Sequence, residues 1–231
     1  MPLAPETLAA LRTLSSPTVA NAIETFRVRP REAGNLASGI RALFPDLGPI
    51  VGYAATAVIR AEHPAAGGRR ASTFAWWDYL QTIPAPRIVV VHDLDDPRGQ
   101  GAFWGEVQAN IHMALGCVGT VTDGAVRDLD EVRALGFQCC AAHVSVSHAN
   151  VHLVEFDIPV KVGGVWIASG DLLHADQHGA VVIPAEVADR IPEAAERIAA
   201  DEQRIIQVCQ AGGFSLERLK AVYRAVRPDA Y

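Results

Sequence analysis

Cysteine is scarce in this sequence: Cys117, Cys139, Cys140 and Cys209 are the whole set, and no two form a C-x-x-C pair. Adjacent cysteines such as Cys139 and Cys140 are poorly placed to bridge each other. A disulfide framework and a thiolate zinc knuckle are therefore excluded, and buried free thiols in a reducing cytoplasm are expected. Basic clusters are lacking too. The net charge is −6 and the one Arg-rich spot is Gly67-Gly68-Arg69-Arg70, so no basic stripe exists to follow a nucleic acid. Long apolar runs are missing as well. The longest, Ile50 to Ile59, is about half of what a membrane-spanning helix needs. The opening residues MPLAPETLAALRTL contain no basic stretch leading into an apolar one, so no secretion signal is expected. What is present is globular composition, with 50% hydrophobic and 20% charged residues over 231 positions. A core of that size needs neither disulfides nor a structural metal.

The hydrophobic pattern divides the chain without repeats or low-complexity linkers. A helix is expected over Glu6 to Leu14 and another over Val19 to Phe26, opened by Ser16-Pro17-Thr18. Arg27 to Gly48 reads as an irregular excursion. IVGYAATAVIRA is a strand, FAWWDYLQTI a short helix and RIVVVHD a strand buried on both faces. After the loop DLDDPRGQG, which reads as a solvated turn, AFWGEVQANIHMALG places Val107, Ile111, Ala114 and Leu115 at helical spacing. CVGTVTD is a second buried strand and DLDEVRALG a short helix stopped by Gly136. From Cys139 to Pro184 the pattern turns to short β pieces. A helical tail follows from Ala185 to Ala211, interrupted at Pro192, with Glu186/Arg190 and Glu193/Arg197 spaced for ion pairs. The class is α/β in the middle, β-rich after it, and helical at both ends.

Residues 122–132, TDGAVRDLDEV, break the generic pattern. The run Val118 to Val121 reaches an Asp-Gly turn, and Arg127, Asp128, Asp130 and Glu131 then crowd together. In a strand–helix–strand unit, ligands collect where loops leave the carboxyl ends of the strands. The helix starts near Gly105 and near Asp128 would face that crevice and offer free amides to an anion. Asp128 to Glu131 also matches a capping box, in which both carboxylates serve the helix alone. That reading leaves Arg127 unexplained, since a guanidinium is a poor helix starter and a good bidentate partner for a carboxylate. It also leaves Glu106, at the other helix start, without a role.

Other motifs carry less. His148 and His152 have the spacing of a zinc pair on a helix, but their surroundings are β-like, where residues four apart are ~13 Å apart. His174 and His178 flank a turn, with no thiolate or third imidazole nearby. DLDDP lacks the glycine and final glutamate of a calcium loop. Gly99, Gly101 and Gly105 do not fit G-x-G-x-x-G, and no Walker loop, G-x-S-x-G or Cys–His nucleophile is present.

The segment GAFWGEVQANIHMALGCVGTVTDGAVRDLDEVRALGF, continued by SGDLLHADQHGAVVIP, resembles the family named for the regulator of ribonuclease activity A (RraA). That family includes the class II 4-hydroxy-4-methyl-2-oxoglutarate/4-carboxy-4-hydroxy-2-oxoadipate aldolases. Its pattern is an acidic residue, twenty residues, Arg-Asp, two residues and an acid; Glu106, Arg127, Asp128 and Glu131 fill it. Weaker similarity runs from SSPTVANAI to the last helix. Two positions depart: Glu106 and Asn21 stand where Asp is usual.

The resemblance implies a single domain over residues 1–231, with an α/β/β swivelling-type core at about 50–184, a helical N-terminal segment 1–48 and a C-terminal helical tail 185–231. It implies homotrimers or hexamers with active sites between subunits. It assigns Mg²⁺ or Mn²⁺ to Asp128 directly, and to Glu106 and the neighbouring subunit's Glu202 through water. Arg127 and Glu106 become catalytic, and Gly105, Val107, Gln108 and Arg127 hold a 2-oxo acid substrate. Cleavage would pass through a pyruvate enolate, and oxaloacetate decarboxylation would use the same one. No nucleic-acid or membrane partner is expected, and the location is cytoplasmic. Two alternatives stay open: a non-catalytic protein that inhibits a ribonuclease by contact, and a lyase or hydrolase acting on a sugar acid. The helical tail speaks against the first. The histidines His143, His148, His152 and His174 hint at a distinct pocket and so at the second.

Overall fold

The computed structural model describes residues 2–36, 39–65 and 70–227. Of the Gly67-Gly68-Arg69-Arg70 cluster, all but Arg70 lie outside the described residues. Helices α1 (Pro5–Arg12) and α2 (Ser16–Phe26) lead into strand β1 (Arg41–Ala42) and the long strand β2 (Ile50–Arg60). The α/β middle follows: α3 (Thr73–Thr82), β3 (Arg87–Asp93), β4 (Ala102–Trp104), α4 (Glu106–Ala114), β5 (Cys117–Val126), α5 (Leu129–Leu135) and β6 (Gln138–Val144). Short strands β7 (His152–Phe156), β8 (Val160–Val162), β9 (Val165–Ile167), β10 (Leu172–Asp176) and β11 (Gly179–Ile183) come next, and α6 (Ile191–Gln210) and α7 (Leu216–Val226) close the chain.

Strands β2, β3, β5 and β6 pair in parallel at the centre of one sheet, in the order β1-β6-β5-β3-β2-β10-β11. The outer strands are antiparallel: β1 on β6, β10 and β7 on β2, and β11 on β10. Residues 34–36 bond along the far edge, with Leu36 N donating to Ala180 O and Val182 N to Gly34 O. The same stretch of chain then crosses to form β1 on the opposite edge, so the sheet nearly closes on itself. Full burial of Ile88 to Val91 explains the unbroken apolar run of β3. Its alternate residues feed two cores. Val89 and Val91 pack with Cys139, Ala141 and the helices, whereas Ile88 and Val90 pack with Val121, Cys140 and the β8–β9 hairpin. That hairpin turns on Gly163 (φ 56°) and Gly164 (φ 84°), a pair of left-handed positions that favours glycine.

Several expectations are corrected. Strand β5 does not turn at Asp123-Gly124 but runs on to Val126. Asp123 is held in line by β3, accepting from Asp93 N at 2.8 Å and from His92 Nδ1 at 2.7 Å. On α4 the exposed Val107 is not part of the buried face, which is instead Ala109 and His112. The phase is set by His112, whose Nε2 accepts from Trp76 Nε1 at 3.0 Å and whose Nδ1 donates to Gln108 O at 2.7 Å. The DLDDP loop is not merely solvated. Asp93 and Asp95 are buried, and Asp95 accepts from Ala61 N and Glu62 N. Strand β6 ends at Val144, so His148 lies in a loop and does not share a strand with His152. Pro192 does not break the tail; it sits in the first turn of α6, where no backbone donor is needed. Glu193 and Arg197 do pair, while Arg190 reaches the Glu186 carbonyl rather than its carboxylate. Cys117, Cys139 and Cys140 are buried free thiols, but Cys209 is exposed. Among the described residues no helix is long and apolar enough to cross a membrane.

Burial pushes the His112 imidazole down from 6.5 to about 4. Between those values the unfolded chain takes up a proton that the native ring refuses. Stability is therefore full above pH 6.5 and is lost as pH falls to about 4, by on the order of 3 kcal/mol. Urea midpoints measured across that range should show this slope, and His112→Gln should flatten it.

Candidate functional site

The straight run of β5 to Val126 delivers Arg127 and Asp128 to its carboxyl end. Strand β4 pairs there in parallel, Ala102 with Ala125 and Trp104 with Val126, and Arg127 N donates to Trp104 O at 2.9 Å. The residue after Trp104 is Gly105, the N-cap of α4, so pairing brings the start of α4 against the end of β5. The Glu106 amide then donates to Asp128 Oδ2 at 3.1 Å. A free first-turn amide is thereby satisfied, and a carboxylate sits at the positive end of the helix.

Asp128 itself is in the left-handed region (φ 54°, ψ 49°) and makes no side-chain cap to α5. The capping box is therefore not formed: the Asp128 carboxylate is held by α4, and its unused Oδ1 has no hydrogen-bond partner among the described residues. Arg127 Nε lies 3.7 Å from Asp128 Oδ2, with the two side chains 37% and 35% exposed. That pair is solvated and loose, and among the described residues the terminal nitrogens of Arg127 make no hydrogen bond. Gly105 leaves the space that the Asp128 carboxylate takes up, and its backbone angle needs no glycine. A Cβ there would lie 2.6 Å from Asp128 Oδ2 and 3.2 Å from Arg127 Nε.

Of the residues singled out in the sequence, Gly105, Glu106, Arg127 and Asp128 are thus brought together. Val107 follows on the exposed side of α4, and Gln108 lines a small cavity with Trp76, Trp77, Phe103 and His152. Glu202 is on α6, which packs against α1, α2 and α7, and its carboxylate lies 3.6 Å from Arg227 Nη2. His174 and His178 do not converge. His174 is buried, with Nε2 donating to the Leu11 and Leu14 carbonyls and Nδ1 accepting from Ser16 Oγ, whereas His178 pairs with Asp176. Burial pushes the Cys117 and Cys140 thiols up to about 12 and the Cys139 thiol up as well, which removes them as nucleophiles. The sequence hinted at a distinct pocket through His143, His148, His152 and His174; of these, His152 lines the cavity beside Gln108, whose walls come from α3, β4, α4 and β7.

Gly105→Ala should push the partly exposed Asp128 carboxylate off the Glu106 amide, at a cost of about 1 kcal/mol for the lost hydrogen bond. Removing the clashing carboxylate in Asp128→Ala should make the two substitutions non-additive by at least about 0.5 kcal/mol in a denaturation double-mutant cycle. Simple additivity would show that the two residues are not in contact.

Comparison with known proteins gives the family of the chain. The RraA-like family model, described as Aldolase/RraA, matches residues 17–182. Protein DlpA of Legionella pneumophila is 26% identical over 155 residues, which are 65% of this chain and 24% of that protein. A 4-hydroxy-4-methyl-2-oxoglutarate aldolase of Thermus thermophilus is 36% identical over 85 residues, covering 36% of this chain and 51% of that enzyme. The chain thus spans a quarter to a half of the length of these two relatives. Among solved structures, an uncharacterized protein from Pseudomonas syringae pv. tomato superposes with a TM-score of 0.74 at 24% identity, over 96% of both chains. RraAS2 of Streptomyces coelicolor, described as an unusual member of the RNase ES inhibitor RraA family, superposes with a TM-score of 0.68 at 26% identity, over 87% of this chain and 97% of that one. With its sheet, its Arg127–Asp128 corner and these matches, the chain belongs to the RraA-like family.

Proposed function

We propose that this protein is a divalent-metal-dependent lyase that cleaves a carbon–carbon bond of a 2-oxo acid and releases pyruvate through its enolate. The observation that carries the reading is the Arg127–Asp128 corner set against the first amides of α4. The donors suit a hydrated Mg²⁺ or Mn²⁺ ion: Asp128 has one uncommitted carboxylate oxygen and is partly exposed, and the Glu106 carboxylate stands at the same helix start. Among the described residues no three His, Cys, Asp or Glu side chains could wrap an ion, which suits a cation that keeps most of its waters. Bound at Asp128, the metal would supply a Lewis acid beside the developing oxyanion.

The chain's own groups do the rest. Arg127 has two terminal nitrogens to grip the substrate carboxylate bidentately. The amides at Gly105 and Val107 add neutral donors at the positive end of α4, and the Gln108 side chain borders the distal part of the substrate. Charge released by bond scission then develops next to a guanidinium and helix amides already in place, so little reorganisation is needed. Glu106, without an ion-pair partner among the described residues, acts first as base, taking up the proton released from the substrate hydroxyl, and then as acid, returning it to the enolate carbon. In a homotrimer or hexamer, Glu202 of the partner subunit would complete the site.

Purified protein with Mg²⁺ should release pyruvate from 4-hydroxy-4-methyl-2-oxoglutarate or oxaloacetate, read by coupled NADH oxidation, and a chelator should abolish it. Arg127→Ala should lower kcat/KM by about 100-fold or more, since it removes both substrate binding and oxyanion stabilisation. Asp128→Asn should remove activity by a similar factor while costing less than about 1 kcal/mol of stability, because the amide oxygen of Asn can still accept from the Glu106 amide. No pyruvate from a broad panel of 2-oxo acids would leave the contact-inhibitor reading standing instead.

A further inference from the structure

His112 and His174 are buried with both ring nitrogens bonded, the first between Trp76 and Gln108, the second between Ser16 and the Leu11 and Leu14 carbonyls. His152, 7% exposed at the first position of β7, has only one nitrogen engaged. Its Nδ1 lies 2.8 Å from the Asn150 carbonyl oxygen, which can only accept, so Nδ1 carries the hydrogen. In the neutral ring the lone pair is then on Nε2, which makes no hydrogen bond among the described residues. That atom is not among the polar atoms sealed from solvent, so a small molecule can reach it. A buried acceptor without a donor is costly to keep.

The space that His152 lines is a cavity of about 80 Å³ between α3, β7 and the first turn of α4. A water-sized group takes up roughly 10–15 Å³ on the same measure, so about five to eight non-hydrogen atoms fit. Rings of Trp76, Trp77 and Phe103 make walls that suit carbon, and the Trp76 indole N–H is already given to His112. Thr73, also on the wall, has a hydroxyl without a partner among the described residues. The solvent side is basic. Ala71 N donates to Leu153 O at 2.9 Å, which ties the residue after Arg70 to the residue after His152. Arg70 lines the cavity, is exposed and has no ion-pair partner among the described residues. No Asp or Glu is among the lining residues to offset its charge.

We propose that this cavity is a second ligand site, independent of the Arg127–Asp128 corner, and that it binds a short hydroxy acid of about the size of lactate. The carboxylate meets the Arg70 guanidinium. The hydroxyl donates to His152 Nε2, and the carbon skeleton lies against Trp77 and Phe103. Each part of the ligand answers a separate feature: an uncompensated cation, a lone pair without a donor, and aromatic walls. A neutral diol leaves the first unmet, a plain carboxylic acid the second, and inorganic phosphate the third.

Those compounds test the site in the metal-free protein. Sodium lactate should change the tryptophan fluorescence saturably, because two of the four tryptophans line the cavity, and soaked crystals should hold one lactate there. Propane-1,2-diol, propionate and phosphate should each bind at least about tenfold more weakly, since each lacks one of the three contacts. Arg70→Ala, at an exposed position where truncation costs the fold little, should weaken lactate by a similar factor. Arg127→Ala should leave lactate binding unchanged. Propionate binding as well as lactate would overturn the part given to His152, and phosphate binding as well would reduce the site to a general anion contact. An unaltered affinity in Arg70→Ala overturns the proposal, and loss of binding in Arg127→Ala does so by placing the ligand at the corner. A soaked crystal with water alone in the cavity refutes it whatever the fluorescence shows.

Discussion

The hydrogen bond from the Glu106 amide to the Asp128 carboxylate joins two elements that sequence separates by more than twenty residues, and the site's geometry depends on it. Without it the first turn of α4 would carry an unpaired amide, and Asp128 would be free to swing back and cap α5. With it, one carboxylate oxygen is fixed at the positive end of a helix and the other is left over. The backbone cooperates. A left-handed conformation at Asp128 costs something for any residue with a Cβ, but Asp and Asn bear it best. The absence of a side chain at Gly105 then lets the carboxylate come in against the main chain.

Such a contact is useful only if α4 cannot move, and α4 is pinned at both ends. At its start, the parallel pairing of β4 with the last residues of β5 sets the height of Gly105 relative to Arg127. About two turns further, His112 accepts from the indole of Trp76 on α3 and donates to the Gln108 carbonyl, inside a cage of Trp76, Trp104 and Phe103. Burial keeps that ring neutral, so the acceptor for the indole persists at ordinary pH. The cavity that holds His152 shares Trp76 and Phe103 with this cage. Packing that positions the helix therefore also shapes the neighbouring pocket.

How much of this could be read from the sequence follows from the range of each interaction. Buried parallel strands announce themselves, since β2 and β3 have no polar face to disguise them. Helix α2 was expected to open at Ser16-Pro17-Thr18, and its cap is one residue earlier, at Ser15, which accepts from Thr18 N; α3 is likewise capped locally, by Ser72 accepting from Ala75 N. The Arg127-Asp128 pair was visible because two opposite charges at the end of an apolar strand have no local purpose. Three of the misreadings involve a distant partner overruling a local preference. Asp-Gly at 123–124 is turn-forming, but bonds from β3 keep Asp123 extended into β5. The helical periodicity of α4 pointed to Val107, whereas an indole on another helix selects the face of His112. The DLDDP loop looked solvated because nothing in it reveals that Ala61 and Glu62 supply the amides that Asp95 accepts.

Those same aspartates clarify what makes a carboxylate available for chemistry. Asp93 accepts from Asp95 N and Gly99 N, Asp95 from Ala61 N and Glu62 N, and Asp123 from Asp93 N and His92, all in buried positions. Burial raises the Asp93 carboxyl, and its backbone bonds oppose that shift without cancelling it. These groups stitch the β3–β4 loop and have little to offer a ligand. Asp128 and Glu106 differ not in residue type but in commitment: one makes a single amide bond and the other has no ion-pair partner among the described residues, and both reach solvent. A hard cation that keeps its own waters competes poorly with buried amides for a carboxylate, but readily displaces bulk water from an exposed one. Counting acids does not separate the two stretches, since 93–96 and 128–131 each hold three. What distinguishes Asp128 is its place at the end of β5, beside Arg127 and the first amides of α4, with part of its carboxylate open to solvent.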